Sequence, residues 1–526
     1  MTAVQDSTAE AARASSTADK LAGLHAMREA KAAQGSPRAI AARAESGQLN
    51  ARQRIDLLFD AGSFDETGEL ARKSGPDNPL GDGVVTGYGT VNGRPVCAYS
   101  HDATIFGGSL GEVFGRKITD IYDLALRVGC PVVGINDGGG ARVQEGVASL
   151  AFFAELGHMI VRASGAIPQI SMIMGACAGG SVYGPAMTDF VVAVQDTSYM
   201  FVTGPDVLRS VTGEDVTLEE LGGAHAQGVG GNVHHVAADD ADAVEWVRDL
   251  LDVLPSNFNA TAPVLAAKRA DELTARDLEL DGLMPDADNS GYDMQEVLAR
   301  IIDDGDLLEI SPIFAPNLIT GFGRVEGRTV GVVANQPMNL TGALDIDASE
   351  KGARFVRFCD AFGIPIVTVV DVPGYLPGVA QERGGIIRRG AKLIFAYSEA
   401  TVPKVTVVVR KAYGGGYAVM GSKHFGADVN LAWPTARIAV MGAEGAVTLL
   451  RRRELAAAGD GAAVLRKKYI DAYNEHVATP YGAAERGFID AVIPPSTTRQ
   501  QVAAALRALR TKEENPPPRK HNTMPL

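Results

Sequence analysis

The sequence has few cysteines, few aromatic residues and no excess of basic side chains, and each shortage excludes a class of protein. Its four cysteines, Cys97, Cys130, Cys177 and Cys359, lie far apart and form no Cys-x-x-Cys or Cys/His spacing, so neither a zinc site nor a disulfide framework is predicted. Scattered cysteines are typical of a reducing compartment, and we expect a cytoplasmic protein. The formal charge of −14 at pH 7 argues against nucleic-acid or anionic-membrane partners.

Long apolar segments are missing as well. No apolar run approaches the roughly 18 residues that a helix needs to cross a bilayer, so no membrane segment is expected. Residues 1–19 are rich in Ala, Ser and Thr and lack a basic segment followed by an apolar one. They are therefore predicted to be a disordered N-terminus and not a secretory signal.

Familiar catalytic motifs also fail on inspection. The sequence contains no P-loop and no His-Glu-x-x-His pair. The dinucleotide fingerprint needs a last glycine where Asp137-Gly-Gly-Gly-Ala-Arg-Val143 has Val143. A nucleophile elbow needs a glycine where Gly179-Gly-Ser-Val-Tyr183 has Tyr183. His234 and His235 are candidate catalytic residues, but structural or solvated positions are the commoner outcome for such histidines.

What the sequence does contain is a long internal repeat. The segment Ile167–Tyr183 matches Val402–Ala418, and Thr86–Arg94 matches Thr320–Arg328. At one constant separation, the matched pairs are Pro168 and Pro403, Ser171 and Thr406, Gly179 and Gly414, and Gly180 and Gly415. At a separation shorter by a single position, they are Gly108 and Gly342, Leu110 and Leu344, Lys117 and Lys351, Gly129 and Gly363, Pro131 and Pro365, and Asp137 and Asp371. This period has the size of a domain, so we predict two tandem domains, residues 20–285 and 286–526.

The hydrophobic pattern within each copy predicts an α/β fold with parallel strands. Predicted helices cover residues 20–45, 52–60, 112–129, 148–163, 239–254 and 348–362, and predicted strands cover 84–91, 94–99, 131–136, 167–176 and 365–371. Residues 189–201 are expected to form a strand pair, 222–235 an irregular glycine-rich segment and 255–288 a polar linker. Asn92-Gly93 between two strands is a strong hairpin signal.

In both copies a buried strand is followed directly by paired glycines and a small-residue helix. A helix entrance leaves backbone N–H groups without partners, and such groups can hold an anion or a developing oxyanion. Alternatively, the glycines allow only close packing of strand and helix. Because the feature is duplicated and no nucleophile or metal site accompanies it, chemistry through a stabilised enolate is favoured, with a cofactor as the proton acceptor.

These residues resemble a known family, the β subunits of biotin-dependent acyl-CoA carboxylases, which carry the carboxyltransferase activity. The resemblance covers residues 20–526. It is carried by Gly138-Gly-Gly-Ala-Arg-Val-Gln-Glu-Gly146, Ala178-Gly-Gly-Ser-Val-Tyr183, Asp371-Val-Pro-Gly-Tyr-Leu-Pro-Gly378, Ala412-Tyr-Gly-Gly-Gly-Tyr417 and Val419-Met-Gly-Ser-Lys423.

The resemblance implies two crotonase-like (ClpP-like) ββα domains, an acyl-CoA domain followed by a biotin domain, in a homohexamer whose active sites lie between subunits. It implies that Gly179 and Gly180 hold the thioester oxygen as the enolate forms, while Gly415 and Gly416 hold the ureido oxygen of carboxybiotin. The implied substrate-binding residues are Gly139, Gly140, Ala178, Tyr183 and Ala418.

The resemblance also implies biotin as the cofactor, carried by a separate carrier protein or by a biotin carboxylase (α) subunit. This chain has no Met-Lys-Met biotin-attachment site and no P-loop of its own. No metal is expected. The reaction would move CO2 from carboxybiotin to the α-carbon of an acyl-CoA, giving malonyl-CoA or an alkylmalonyl-CoA.

One departure from the family pattern concerns the substrate. Propionyl-CoA carboxylases commonly have an acidic residue where this sequence has Ala418. A smaller, apolar residue there predicts acceptance of acyl chains longer than propionyl. The alternatives are a strict propionyl-CoA carboxylase β subunit and a methylmalonyl-CoA decarboxylase-type subunit.

Overall fold

The computed structural model describes residues 16–267, 269–287 and 290–525. Within the N-terminal segment predicted to be disordered, residues 1–15 lie outside the described residues, whereas residues 17–19 begin a helix. The last residue of the predicted second domain, at position 526, also lies outside the described residues.

The single helix predicted over residues 20–45 is wrong, because the chain forms two helices there, α1 (Thr17–Ala32) and α2 (Pro37–Glu45). Gly35 between them has a φ of +118°, which favours glycine. The Ser36 side chain then caps α2, and Pro37 takes the first helical position, where an N–H has no partner inside the helix. Gly-Ser-Pro is therefore a helix stop followed by a helix start.

The first eight-stranded sheet is formed by strands that lie between residues 65 and 237. Its order is β1-β2-β3-β4-β5-β6-β8, with β7 beside β5. The pairs β1–β2 and β2–β3 are antiparallel and the remaining pairs are parallel. The strands are β1 (Asp65–Thr67), β2 (Val84–Val91), β3 (Arg94–His101), β4 (Val132–Gly138), β5 (Gln169–Ala178), β6 (Phe190–Val194), β7 (Tyr199–Phe201) and β8 (His235–Ala237).

The helices of this half include those predicted over residues 52–60, 112–129, 148–163 and 239–254, and three further helices within residues 205–229 that have no predicted counterpart. They are α3 (Ala51–Leu58), α4 (Glu112–Val128), α5 (Val147–Ala163), α6 (Tyr183–Met187), α7 (Pro205–Val211), α8 (Leu218–Gly222), α9 (Ala224–Val229) and α10 (Asp240–Val253). Helix α4 buries Ile118, Ile121 and Ala125 and ends at Gly129 in the left-handed conformation, as its sequence predicts.

The predicted hairpin is confirmed. Asn92 and Gly93 have φ values of 51° and 73°, the left-handed conformations of a type I′ turn, and Val91 pairs with Arg94 across it. Two other predictions need correction. The strands within residues 189–201 do not pair with each other, because both add to β5. The segment 222–235, predicted to be irregular, contains helix α9.

The second half repeats this architecture. Its sheet has the order β16-β14-β13-β12-β11-β10-β9, with β15 beside β13. The strands are β9 (Leu308–Glu309), β10 (Leu318–Val325), β11 (Arg328–Asn335), β12 (Ile366–Val372), β13 (Lys404–Tyr413), β14 (Val429–Ala432), β15 (Arg437–Ala439) and β16 (Ala491–Val492). As in the first half, the opening strands are antiparallel and the others parallel.

The helices of the second half also follow the repeat. They are α11 (Ala275–Leu278), α12 (Met294–Ile301), α13 (Ile346–Ala361), α14 (Val379–Gly384), α15 (Ile386–Glu399), α16 (Gly414–Val419), α17 (Ala443–Leu450), α18 (Arg452–Ala457), α19 (Ala462–His476), α20 (Pro480–Ala484) and α21 (Thr498–Ala508). Helix α13 buries Phe355 and Phe358, as predicted. The predicted fold class, two tandem α/β domains of one type, is confirmed.

The two halves pack on each other through aromatic side chains. The Phe190 ring lies edge-on to Phe322 and Phe358, with centroids 6.0 and 4.7 Å away, and Arg354 donates to the Thr188 carbonyl at 2.7 Å. The polar segment after α10 joins the second half, because Leu280 lies in its core. The proposed boundary between residues 285 and 286 stays a prediction.

One buried lysine occupies the same place in each half. Lys117 on α4 donates to the carbonyls of Gly81 and Val84, and Lys351 on α13 donates to those of Ser311 and Phe314. Each lysine thus ties the segment beside the first long strand to the helix that covers the sheet. Burial lowers the pKa of both ammonium groups to about 8.

Replacing Lys351 with Met should change how stability depends on pH. Because the folded-state pKa lies below the unfolded value of about 10.5, the unfolded chain binds the extra proton between pH 8 and 10.5, so Lys351 makes the wild type more stable as pH rises through that window. Thermal unfolding midpoints at pH 8, 9 and 10 measure this, and the Lys351→Met variant should lose part of the upward trend relative to wild type. Parallel profiles for the two proteins would contradict this account.

Candidate active site

Two strands in the middle of the sheets run directly into the glycine turns that the sequence singles out. Strand β5 ends at Ala178 and continues as a 3₁₀ turn over Gly179–Val182, and β13 ends at Tyr413 and continues as helix α16. Gly179 and its aligned counterpart Gly414 have φ values of +64° and +56°, which explains glycine at both positions. The first N–H groups of each turn have no partner inside it.

A second glycine loop approaches each turn from the neighbouring strand. After β4, a Cβ at Gly140 would lie 3.2 Å from the Ala178 carbonyl oxygen. After β12, a Cβ at the aligned Gly374 would lie 4.0 Å from the Tyr413 carbonyl oxygen. The duplicated loops are therefore held against the duplicated turns, and the approach in the first half leaves little room for a side chain.

The turn of the first half opens onto a cavity of about 330 Å³. Three of the predicted site residues line it: Gly140, Gly180 and Tyr183. Its walls also include His101, Leu110, Asn136, Leu150, Phe153, Ala154, Leu156, Gly157, Ile160, Ser181 and Met187. Gly139 and Gly179 are chain neighbours of lining residues, and Ala178 precedes Gly179 at the end of β5. The cavity is mostly apolar, with glycine backbone and a few polar side chains at one end.

The remaining predicted residues lie in the second half, on α16. Gly415 faces the Tyr375 ring, since a Cβ there would lie 3.7 Å from it, and Gly416 is buried against Val372 and Gly374. Ala418 is half-buried on the same helix. Among the described residues, those lining the first cavity all belong to the first half, whereas Gly415, Gly416 and Ala418 lie on α16 of the second half; we refer to these two groups as the half-sites.

A buried aspartate lies near the end of β4 and of β12, the strands beside β5 and β13. Asp137 accepts from Arg54 Nη1 at 2.8 Å, and Arg54 also donates to Asp240 and to the Met174 carbonyl on β5. Arg43 donates to Asp137 as well. Arg54 is fully buried, and its hydrogen bonds fix the edge of the sheet from which the glycine loops leave.

The second half holds its carboxylate with a different arginine. Asp371 accepts from Arg410 Nε and from the Tyr292 hydroxyl, both at 3.0 Å. Arg410 aligns with Gly175 in the first half, where a Cβ would overlap the Asp137 carboxylate. The strand arginine of the second half is therefore replaced by a helix arginine, Arg54, in the first. The sequence repeat indicated the aspartates but not Arg54.

The paired histidines have structural positions. Burial lowers the pKa of His234 to about 3, and its Nδ1 accepts from the backbone N–H of Val191 at 2.8 Å. His235 stacks on Trp246 with ring centroids 4.8 Å apart. In the part of the chain that the structure describes, no group of three or more His, Cys, Asp or Glu side chains could hold a metal ion.

Comparisons with known proteins identify the family of this chain. Residues 42–524 match the family model described as the carboxyl transferase domain, so the chain belongs to the carboxyl transferase family, and the resemblance predicted from the motifs is confirmed. Among the relatives is the propionyl-CoA carboxylase beta chain of Saccharopolyspora erythraea, 57% identical over 534 residues, covering 98% of both chains. Another is the biotin-dependent long chain acyl-coenzyme A carboxylase beta4 subunit of Mycobacterium tuberculosis, 55% identical over 498 residues, covering 94% of this chain and 95% of that one.

A solved structure shows the same fold over the whole chain. It is a transcarboxylase 12S hexamer with methylmalonyl-coenzyme A bound, which aligns with a TM-score of 0.93 and 45% sequence identity over 98% of this chain and 100% of that one. Across residues 16–267, 269–287 and 290–525, no helix combines the length and apolarity needed to cross a bilayer.

Replacing Arg54 with Met should destabilise the protein strongly. The substitution leaves the Asp137 and Asp240 carboxylates buried with too few partners, a loss of about 3–5 kcal/mol. The midpoint of thermal unfolding measures it. Arg52→Met is the matched control on the same helix, because the Arg52 side chain is 43% exposed and its partner Glu66 keeps its ion pair with Lys31, so a loss of about 1 kcal/mol or less is expected. Equal, small shifts for the two variants would contradict the proposed role of Arg54.

Proposed function

We propose that this chain is the carboxyltransferase subunit of a biotin-dependent acyl-CoA carboxylase. It transfers a carboxyl group from carboxybiotin to the α-carbon of an acyl-CoA, giving malonyl-CoA or an alkylmalonyl-CoA. The observation that carries the proposal is the duplicated glycine turn at the ends of β5 and β13, in a chain whose relatives have this activity. Each turn suits one of the two carbonyl-type oxygens in such a reaction.

In the first half, the residues around the cavity beside the β5 turn fit an acyl-CoA. The N–H groups of Gly179 and Gly180 hold the thioester oxygen and stabilise the negative charge that develops on it when the α-proton leaves. One such backbone donor contributes roughly 10²–10³ in rate. Gly139, Gly140, Ala178 and Tyr183 form the surrounding wall, and the apolar side chains receive the acyl chain.

In the second half, Gly415 and Gly416 at the entrance of α16 fit the ureido oxygen of biotin. When bound, biotin supplies the activated carboxyl group. The Tyr375 ring beside Gly415 gives this half-site a flat wall. A biotin carrier and a biotin carboxylase (α) subunit are the proposed partners, because the sequence has neither an attachment motif nor a P-loop.

A second copy of the chain is needed to join the half-sites. Apolar side chains are exposed beside both: Val143 (84%) and Val147 (81%) near the first, and Val440 (82%) and Leu450 (70%) near the second. Apolar side chains left this exposed beside both half-sites suit a contact with another subunit. A homohexamer like the 12S neighbour would set the first half of one subunit against the second half of another.

The proposed cellular location of the enzyme is the cytoplasm. All four cysteines are buried free thiols, which suits a reducing compartment. The same family pattern leaves a methylmalonyl-CoA decarboxylase-type subunit as the second candidate function. Label transfer into the acyl-CoA product distinguishes carboxylation from decarboxylation.

The half-buried Ala418 on α16 leads us to extend the proposal to substrates longer than propionyl-CoA. An acidic residue at this position would bring a charge and several heavy atoms beside the acyl pocket of the neighbouring subunit, whereas alanine leaves that volume apolar. Each further methylene that the pocket buries contributes about 0.8 kcal/mol, roughly fourfold in kcat/KM. A strict preference for propionyl-CoA is the competing specificity.

Replacing Gly180 with Ala should lower activity without lowering stability. A Cβ at Gly180 has no atom within 4 Å and the residue does not have a positive φ, so the methyl group fits the fold but enters the space of the thioester oxygen. We expect kcat/KM for carboxyl transfer to fall about tenfold or more with an unchanged unfolding midpoint. Gly282→Ala, also free of nearby atoms, is the control and should keep full activity. Full activity in Gly180→Ala would refute the oxyanion role.

Replacing Ala418 with Asp should narrow the acyl range. Wild type is expected to carboxylate propionyl-CoA, butyryl-CoA and longer acyl-CoAs with kcat/KM values within about tenfold of one another. Ala418→Asp should keep propionyl-CoA activity and lose about tenfold or more on the longer chains, because burying a carboxylate against an alkyl chain is unfavourable. Transfer of labelled carboxylate from a carboxylated biotin carrier to the acyl-CoA series measures kcat/KM for the wild type and for the variant. A wild type restricted to acetyl- or propionyl-CoA would refute the extension and leave the carboxyltransferase assignment intact.

A further inference from the structure

His101, the last residue of β3, lies in the wall of the first-half cavity together with Gly140 and Gly180. Its Nδ1 accepts a hydrogen bond from the backbone N–H of Asp137 at 3.3 Å. In a neutral imidazole one nitrogen accepts and the other carries the hydrogen, so this bond places the hydrogen on Nε2. Burial lowers the pKa of the ring to about 4, which keeps it neutral at physiological pH.

The Nε2–H group of His101 is buried and has no hydrogen-bond partner among the described residues. A buried donor without an acceptor is unfavourable, and such groups are rare in folded proteins. The ring cannot turn to relieve this without breaking the bond from Asp137, and it is packed between Tyr99 and Phe114, with centroids 5.6 and 4.8 Å away. The donor is therefore fixed in place.

In the second half of the chain, the side chain at the same position has partners for both its acceptor and its donor. Asn335 aligns with His101 in the register that pairs Asp137 with Asp371. Its Oδ1 accepts from the N–H of Asp371 at 3.2 Å, as His101 does from Asp137, and its Nδ2 donates to the Gly342 carbonyl at 3.2 Å. The first half keeps the first bond and lacks the second. The unpaired donor is thus a specific feature of the half that contains the cavity.

The surroundings indicate which acceptor fits. Leu110, Phe153 and Ile160 give the cavity an apolar wall near the ring. A neutral N–H in apolar surroundings suits an uncharged carbonyl oxygen, whereas a carboxylate would call for a cationic partner. An acyl-CoA has two kinds of uncharged carbonyl, the thioester and the pantetheine amides.

We propose that His101 is a substrate-binding residue whose Nε2–H donates a hydrogen bond to a carbonyl oxygen of the acyl-CoA in this cavity. The proposal rests on the carboxyltransferase function proposed above and adds a side-chain donor to the glycine backbone donors. It also explains why the two halves differ at this position, since only the first half has to present a donor to the acyl-CoA.

Two substitutions separate the two nitrogens of His101. In His101→Asn, the Oδ1 atom keeps the bond from Asp137, as in the second half, and the pocket donor is lost. In His101→Gln, the longer side chain returns an N–H to the position of Nε2. We expect His101→Asn to lower kcat/KM for carboxyl transfer to propionyl-CoA about tenfold and His101→Gln to recover most of that loss.

The kinetic constants distinguish the two carbonyl sources. A bond to a pantetheine amide acts equally in the ground and transition states, so its loss raises KM and leaves kcat unchanged. A bond to the thioester oxygen strengthens as charge develops there, so its loss lowers kcat. Either result supports the proposal when the unfolding midpoint of His101→Asn is at least that of wild type.

His235→Asn is the matched control, because the Nε2 of His235 also has no partner within the described parts of the chain, but its ring stacks on Trp246 and does not line the cavity. It should leave kcat and KM within about twofold of wild type. If wild type is active and His101→Asn has unchanged kcat and KM, the role of His101 is refuted. If wild type transfers no carboxyl group to any acyl-CoA, the proposed function fails instead.

Discussion

The site depends on one buried aspartate in each half, Asp137 at the carboxyl end of β4 and Asp371 at the carboxyl end of β12. Asp371 binds Arg410 on β13 and accepts from the backbone N–H of Lys411, so β12 and β13 are tied together just before the glycine turn. Asp137 does the same in the first half through Arg54, which also bonds the Met174 carbonyl on β5. Together with the strand pairing, these carboxylates hold the glycine turns and the loops beside them at a fixed separation.

Duplication kept this arrangement and allowed each half to change around it. Where the second half has Arg410, the first has Gly175 and takes its arginine from helix α3. Where the second half satisfies Asn335 internally, the first has His101, a residue of the cavity wall whose Nε2 has no partner among the described residues. In the proposed carboxyl transfer two carbonyl-type oxygens are held at once, and two diverged copies of one turn, brought together from neighbouring subunits, would provide for both.

The sequence predicts the parts of this account that follow from local chemistry and from the repeat. The hairpin at Asn92-Gly93, the glycine that ends α4 and the two glycine turns all come from backbone conformations that few residues adopt. Arg54 could not be predicted, because its counterpart on α12, at the separation of 243 positions that matches the entry helices of the two halves, is Val297, and because its partner Asp137 is distant in the chain. His101 gave no periodic signal, whereas the break at Gly35 could have been predicted from Gly-Ser-Pro, a helix stop followed by a helix start.

The most direct measurement is transfer of labelled carboxylate from a carboxylated biotin carrier to propionyl-CoA in the presence of this chain. The account predicts labelled methylmalonyl-CoA, formed only when both the carrier and the acyl-CoA are present. Loss of label from the carrier at one rate with or without acyl-CoA, and no label in the acyl-CoA, would contradict it.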